Sequence, residues 1–172
     1  MDLSLSEEQK MIVDQVNRFV RDEIWAMEDK LDPDTDELDP DEYARLAART
    51  EEMGLFGLDI PPEFGGPDID IVTRTLIAIE MSQHRAGLYA PCYNVFGGAG
   101  LAQMFEADEW QREKWLHPTL RGEKKVFFGL SEPSGGSDPA RAIQTRAVED
   151  GDDYVINGQK LWISNADRAD YG

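Results

Sequence analysis

Near residue 125 the chain changes its apolar period, and that change limits the folds open to it. Before it, Ile12, Val13, Val16, Phe19, Val20 and Ile24 recur at helical spacing. Ser6 with Gln9 opens this first helix as a capping box, each side chain satisfying a free N–H of the first turn. The helix should fade near "EDKLDPDTDELDP". Asp39-Pro40-Asp41-Glu42 opens a second one: Asp caps, Pro suits the first helical position, and acids complement the positive end of the dipole. Leu46, Ala47 and Met53 give it an apolar side, and Gly54 a stop. "GLFGLDIPPEFGG" reads as a loop. "IDIVTRTLIAIEMSQ" is apolar on most sides and reads as a buried central helix. Asn94 to Phe105 reads as another helix, weakened by Gly97, Gly98 and Gly100. Asp108 with Gln111 opens a further one, expected to end before Pro118.

After Gly122 the pattern becomes that of short strands. "VFFGL" is an apolar, aromatic run bounded by turn residues. "AIQTRAVE" and "DYVIN" are divided by Asp150-Gly151, and "DYVIN" and "QKLWIS" by Asn157-Gly158. Both dipeptides suit tight hairpins, which need positive φ. The expected class is α+β: an all-α domain over residues 1–124, then the first strands of an antiparallel β-domain over 125–172. "ADYG" at the end reads as the approach to another strand, so a portion of a longer protein is expected.

Composition removes several functions. The 172 residues, 41% of them hydrophobic, are those of a globular chain. A net charge of -18 argues against nucleic acid and against anionic membranes. No apolar run approaches the roughly 20 residues of a membrane-spanning helix. "MDLSLSEEQK" has neither a signal-peptide nor a transit-peptide pattern, so a cytoplasmic protein is the expectation. Cys92 is the only cysteine, which rules out an internal disulfide, and with His84 and His117 it cannot make an ordinary structural zinc site. The acids at Asp32, Asp34 and Asp36 do not form a calcium loop. Glu37 stands where the sharp-turn Gly belongs and Tyr43 where the bidentate Glu belongs. "GGAG" at Gly97 to Gly100 is no dinucleotide fingerprint, since no strand precedes it and Gln103 replaces its third Gly. No metal site and no catalytic residue is assigned.

"LSEPSGGSD", Leu130 to Asp138, is the segment most suggestive of a ligand. Gly135 and Gly136 would allow close backbone approach. Ser131, Ser134 and Ser137 offer hydroxyls, and the turn offers N–H groups. "KLWISNA" would place Trp162 and Ser164 on one face of a strand, a stacking surface with a hydrogen-bonding group. The residues alone leave open both this ligand site and a core Trp in a meander.

The run "FFGLSEPSGGSDPARAIQTRAVEDGDDYVINGQKLWISNADRADYG" resembles the acyl-CoA dehydrogenase family, whose pattern is Thr/Ser-Glu-Pro, two small residues, Gly-Ser-Asp, then Asn-Gly-x-Lys-x-Trp-Ile-Thr/Ser-Asn. "GLFGLDIPPEFGG" and "LSEEQKMIVDQVNRFV" are similar to its early loop and first helix. The resemblance implies a helical domain, a middle β-domain and a C-terminal four-helix domain, the last absent here. It implies FAD as cofactor and oxidation of an acyl-CoA to the 2-enoyl-CoA, with a carboxylate taking the α-proton and flavin N5 the β-hydride. It places Phe128, Leu130 and Ser131 beside the flavin ring, Gly136 and Ser137 near the flavin and CoA, Trp162 against the ring system, and Ile163 and Ser164 at its reactive edge. Tyr89 and Cys92 would line the acyl channel. It implies an electron-transfer flavoprotein as acceptor and a homo-oligomer, dimer or tetramer, at full length. The family's catalytic base has no counterpart among these residues, so the 172-residue chain alone is expected to be inactive. A flavin oxidase or monooxygenase of the same fold, and a non-catalytic binding or assembly module, are the alternatives.

Overall fold

Ser6 starts the first helix as its spacing predicts. In the computed structural model, which describes residues 4–35, 38–84, 95–96, 102–135 and 138–172, the Ser6 hydroxyl accepts from the Gln9 N–H and the Gln9 side chain accepts from the Ser6 N–H. Helix α1, Glu7–Phe19, runs on without a break through a wider π-helical stretch, Val20–Trp25, and a last α-turn, Ala26–Glu28. Its apolar side enters a core: Val16, Phe19, Val20, Ile24 and Met27 are all buried, with Ile12 packed against them. Contacts divide the chain into two compact units, Met1–Gly97 and Gly98–Gly172.

In the first unit, Asp39 caps helix α2, Pro40–Glu52, by accepting from the Asp41 and Glu42 N–H groups. Leu46 from α2, fully buried, faces α1 residues in the same cluster. On the polar side Glu23 binds two arginines of α2, Arg45 at 3.0 Å and Arg49 at 3.1 Å. These pairs are half-exposed, so solvent screens them and they add little to stability. The Gly- and Pro-rich loop after α2 folds inward, burying Leu55, Leu58 and Ile60, and the Leu58 N–H is tied to the Val95 carbonyl at 2.8 Å.

Helix α3, Ile71–Met81, is capped by Asp70. It runs the same way as α1: Gln9 donates to Thr73, and further along Asn17 donates to Glu80. Burial on all sides, as its composition suggests, is not what forms. Thr73, Ile77 and Met81 are buried, while Ile71 is 66% and Ile79 55% exposed. Only the face turned to α1 finds a partner among the described residues, because helical spacing turns Ile71, Val72 and Ile79 the other way.

The second unit begins, among the described residues, with the short helix α4, Ala102–Phe105. The helix expected from Asn94 is not continuous: Val95 and Phe96 are non-helical, and Asn94 and residues 97–101 lie outside the described residues. Asp108 and Gln111 form the predicted capping box at α5, Glu109–Gln111. This helix does not stop before Pro118. It widens to a π-helical stretch, Arg112–Leu116, and continues as His117–Leu120. The His117 N–H reaches back to the Arg112 carbonyl. That wider turn leaves room for the Pro118 ring, which in an α-helical turn would press on the carbonyl four residues back.

The strands form only in part. β1, Arg146–Asp150, and β2, Asp153–Asn157, make an antiparallel hairpin with Arg146 opposite Asn157 and Asp150 opposite Asp153. Gly151 takes φ 68° at the first of its two loop positions, as a tight hairpin of this length requires. "AIQTRAVE" is shorter as a strand than expected, because its first residue, Ala142, belongs to the helical turn α6, Pro139–Ala142. "VFFGL" is extended but pairs only through Val126, opposite Tyr171. "QKLWIS" is not a strand, and no second hairpin forms at Asn157-Gly158. Trp162 (φ 59°) and Asn165 (φ 63°) are left-handed, which breaks the pleat. Lost with it is the expected alternation that put Trp162 and Ser164 on one strand face.

Truncating Leu46 removes a fully buried side chain, so Leu46→Ala should destabilise the protein by about 2–5 kcal/mol. Ser6→Ala, which removes only the cap, should cost about 1 kcal/mol. Urea unfolding of the two variants checks both values and their order.

Candidate functional site

Glu132 organises the loop that the sequence picks out. It is the one acid in the neutral run Leu130 to Gly135, and its side chain is only 3% exposed. A buried carboxylate needs partners, and this one has three N–H donors. The Gln144 N–H reaches Oε2 at 2.6 Å, the Thr145 N–H reaches Oε1 at 3.1 Å, and the Lys160 ammonium reaches Oε1 at 2.9 Å. Lys160 also donates to the Leu130 carbonyl at 3.2 Å, and the Leu161 N–H donates to the Ser131 carbonyl at 2.9 Å. Three stretches of chain, 130–132, 144–145 and 160–161, therefore meet at one ion pair.

The same junction holds its carboxyl far below the usual range, at about 2. The causes are the Thr145 hydroxyl beside it, then the Gln144 N–H and the Lys160 ammonium. The Thr145 hydroxyl is outside hydrogen-bond geometry to any described group, so it acts as a nearby dipole. The two N–H groups and the ammonium supply the bonds.

The residues that the sequence proposes for a ligand fall into three groups. Phe128, Leu130 and Ser131 lie on the extended run clasped to 160–161, with Phe128 and Ser131 exposed and Leu130 half-buried. Trp162, Ile163 and Ser164 follow the clasp directly. Trp162 is 86% exposed, Ile163 is half-buried and Ser164 is exposed. The two motifs, distant in sequence, are thus neighbours in space. Gly136, Ser137, Tyr89 and Cys92 lie outside the described residues, as does the Gly97–Gly100 run.

Two expectations about the loop are corrected. Gly135 does not serve a ligand: a Cβ there would stand 2.2 Å from the Ala142 Cβ, so the missing side chain lets the loop pack on α6. Ser134 is not free to bind either, since its hydroxyl donates to the Ala142 carbonyl at 3.4 Å, and the Gly135 N–H closes a turn onto the Glu132 carbonyl. Of the described hydroxyls in the loop, that leaves Ser131.

Sequence reasoning missed Glu132 and Lys160 as functional candidates. The available signal was a lone acid and a lone base, each in a neutral stretch of the expected β-domain. Elsewhere, Asp32 makes only a local turn, accepting from the Asp34 N–H, and no group of three metal-ligating side chains occurs among the described residues. His117 lies 3.7 Å from Glu113 on its own helix, a surface pair. No described helix is long and apolar enough to cross a membrane.

The left-handed Trp162 is the unusual feature of the surface. For a bulky residue this backbone costs about 1–3 kcal/mol and persists where the surroundings enforce it, often at ligand sites. Its exposed indole, the exposed Phe128 ring and the Ser131 hydroxyl, unpartnered among the described residues, fit a ligand with a flat apolar face and a polar edge. An isoalloxazine ring has that character.

Residues 6–123 match the model of the acyl-CoA dehydrogenase N-terminal domain, and residues 127–172 match that of the acyl-CoA dehydrogenase middle domain. A Bacillus subtilis protein named "Probable acyl-CoA dehydrogenase YngJ" is 35% identical over 98% of this chain, which spans 43% of that protein. Among solved structures, a glutaryl-coenzyme A dehydrogenase in complex with glutaryl-CoA superposes with a TM-score of 0.73 at 29% identity, over 99% of this chain and 43% of that one. An acyl-CoA dehydrogenase complexed with FAD from Bacillus anthracis superposes with a TM-score of 0.66 at 31% identity, over 98% of this chain and 29% of that one. The chain belongs to the acyl-CoA dehydrogenase family, and it spans less than half the length of these relatives.

Because hydrogen bonding from its N–H donors outweighs burial and depresses the Glu132 carboxyl, its contribution to stability is fully present above the unfolded value near 4.5 and is lost as pH falls toward about 2. A carboxyl titration followed by NMR should show Glu132 with a midpoint near 2. A midpoint near 4.5 would show that the junction does not form.

Proposed function

We propose that the protein carrying this chain oxidises an acyl-CoA thioester to the 2-enoyl-CoA with bound FAD. Family membership supports the reaction class. The observation that carries the reading is the juxtaposition of Leu130–Ser131 with Lys160–Leu161, which joins both motif halves into one wall with an exposed indole at its end. Phe128 and Trp162 would supply apolar faces for the ring, with Leu130 and Ile163 excluding water beside them. Ser131 and Ser164 would donate to polar atoms along its edge. Gly136 and Ser137 are proposed for the junction of flavin and CoA, and Tyr89 and Cys92 for the acyl group. Bound there, FAD would take up the hydride lost from the β-carbon.

The α-proton needs a base, and Glu132 is the described carboxylate built into the wall. It is a poor one. Three N–H donors engage it already, and it stays ionised down to about pH 2, whereas an effective base has a pKa near the working pH. We therefore propose that the base comes from outside these 172 residues, and that they are inactive by themselves. An electron-transfer flavoprotein is the proposed acceptor.

Expression from the whole reading frame tests the reading. A flavin absorbance spectrum that bleaches with one or more members of an acyl-CoA panel, with turnover to an artificial electron acceptor, is expected. Protein that takes up no FAD contradicts it. Trp162→Ala should weaken FAD binding by about 10-fold, the scale of a lost aromatic contact, as measured by titrating the apoprotein.

A further inference from the structure

Trp162 poses a problem that its own side chain cannot solve. Its backbone is left-handed at φ 59°, a conformation rare for a bulky residue, yet its indole is 86% exposed and has little packing to hold it. The restraint has to come through the main chain on either side. Downstream, the Arg168 and Ala169 N–H groups both donate to the Asn165 carbonyl at 3.0 Å, a turn that begins at a second left-handed residue. Upstream lie Leu161, bonded to the Ser131 carbonyl, and Lys160, bonded to Glu132 and to the Leu130 carbonyl.

We infer that the Glu132–Lys160 pair is a positioning device that keeps Trp162 left-handed and so aims its indole along the wall formed by Phe128 and Ser131. Neither residue needs to touch the ligand. Lys160 fixes where the chain enters the strained residue. Glu132 fixes Lys160, and through Gln144 and Thr145 it ties the entry to the start of β1. The consequence for cofactor binding rests on the flavin reading above; the consequence for Trp162 does not.

The test uses the protein from its whole reading frame, labelled with 5-fluorotryptophan. The sequence has four tryptophans, Trp25, Trp110, Trp115 and Trp162, and Trp162→Phe assigns the last. In apoprotein, Glu132→Gln and Lys160→Met should each shift and broaden the Trp162 fluorine signal while the other three stay in place. Glu132→Gln keeps the side-chain shape and one acceptor for the N–H donors, so it carries the test if Lys160→Met fails to fold. Lys160→Arg, which keeps the charge, should restore a single Trp162 signal. With FAD added, each charge-removing variant should bind about 10-fold more weakly, the double variant no worse than the weaker single one, with an altered visible circular dichroism of the flavin. An unmoved Trp162 signal in folded Glu132→Gln overturns the inference whether or not FAD binds. Wild-type protein that binds no FAD, with the Trp162 signal still responding, overturns the flavin reading and leaves the positioning role standing.

Discussion

One ion pair, a buried carboxylate and a half-buried ammonium, joins three stretches of chain in the second unit. Glu132 and Lys160 are far apart in the chain, and each would be poorly placed alone: a carboxylate 3% exposed and an ammonium drawn in beside it. Breaking a buried pair strands a charge, so the two are expected to stand or fall together. The β1–β2 hairpin depends on the same junction. All ten of its residues are exposed, including Val148, Tyr154 and Ile156, and a two-stranded hairpin is marginal by itself. The bonds from Gln144 and Thr145 to Glu132 anchor its first strand at the base.

The first unit is ordered differently. Its helices are held by a hydrophobic cluster drawn from α1, α2, α3 and the inward-folded loop, with the described ion pairs between α1 and α2 on the outside. Hydrophobic burial gives such a unit its stability with little demand on individual polar contacts. The second unit reverses that balance over residues 124–172, where polar ties do much of the joining. Besides Glu132, Asp170 binds Lys124 and the Lys125 N–H, and the Tyr171 hydroxyl meets Thr119 and the Trp115 carbonyl.

This contrast explains what could be read from the sequence. Helix starts were legible because caps are local: Ser6 with Gln9, Asp39 and Asp108 with Gln111 each act within one turn. The β1–β2 hairpin was legible from Asp150-Gly151 for the same reason. The misreadings arise where the backbone leaves the regular pattern. Pro118 stays helical because the preceding turns widen, and "QKLWIS" is bent by left-handed residues that no periodicity announces. The family resemblance found the right segments, "LSEPSGGSD" and "KLWISNA". It could not show that Gly135 and Ser134 face α6, or that Glu132 and Lys160 bind each other. Those facts depend on which segments meet, and spacing along one strand does not contain them.

On the proposed reading, Phe128–Ser131 and Trp162–Ser164 act as one surface for one ligand. Hydrogen–deuterium exchange on the whole protein, without and with FAD, tests it most directly. Peptides covering both segments should gain protection together at the same FAD concentration. Protection of one segment without the other, or of neither while FAD is bound, would contradict it.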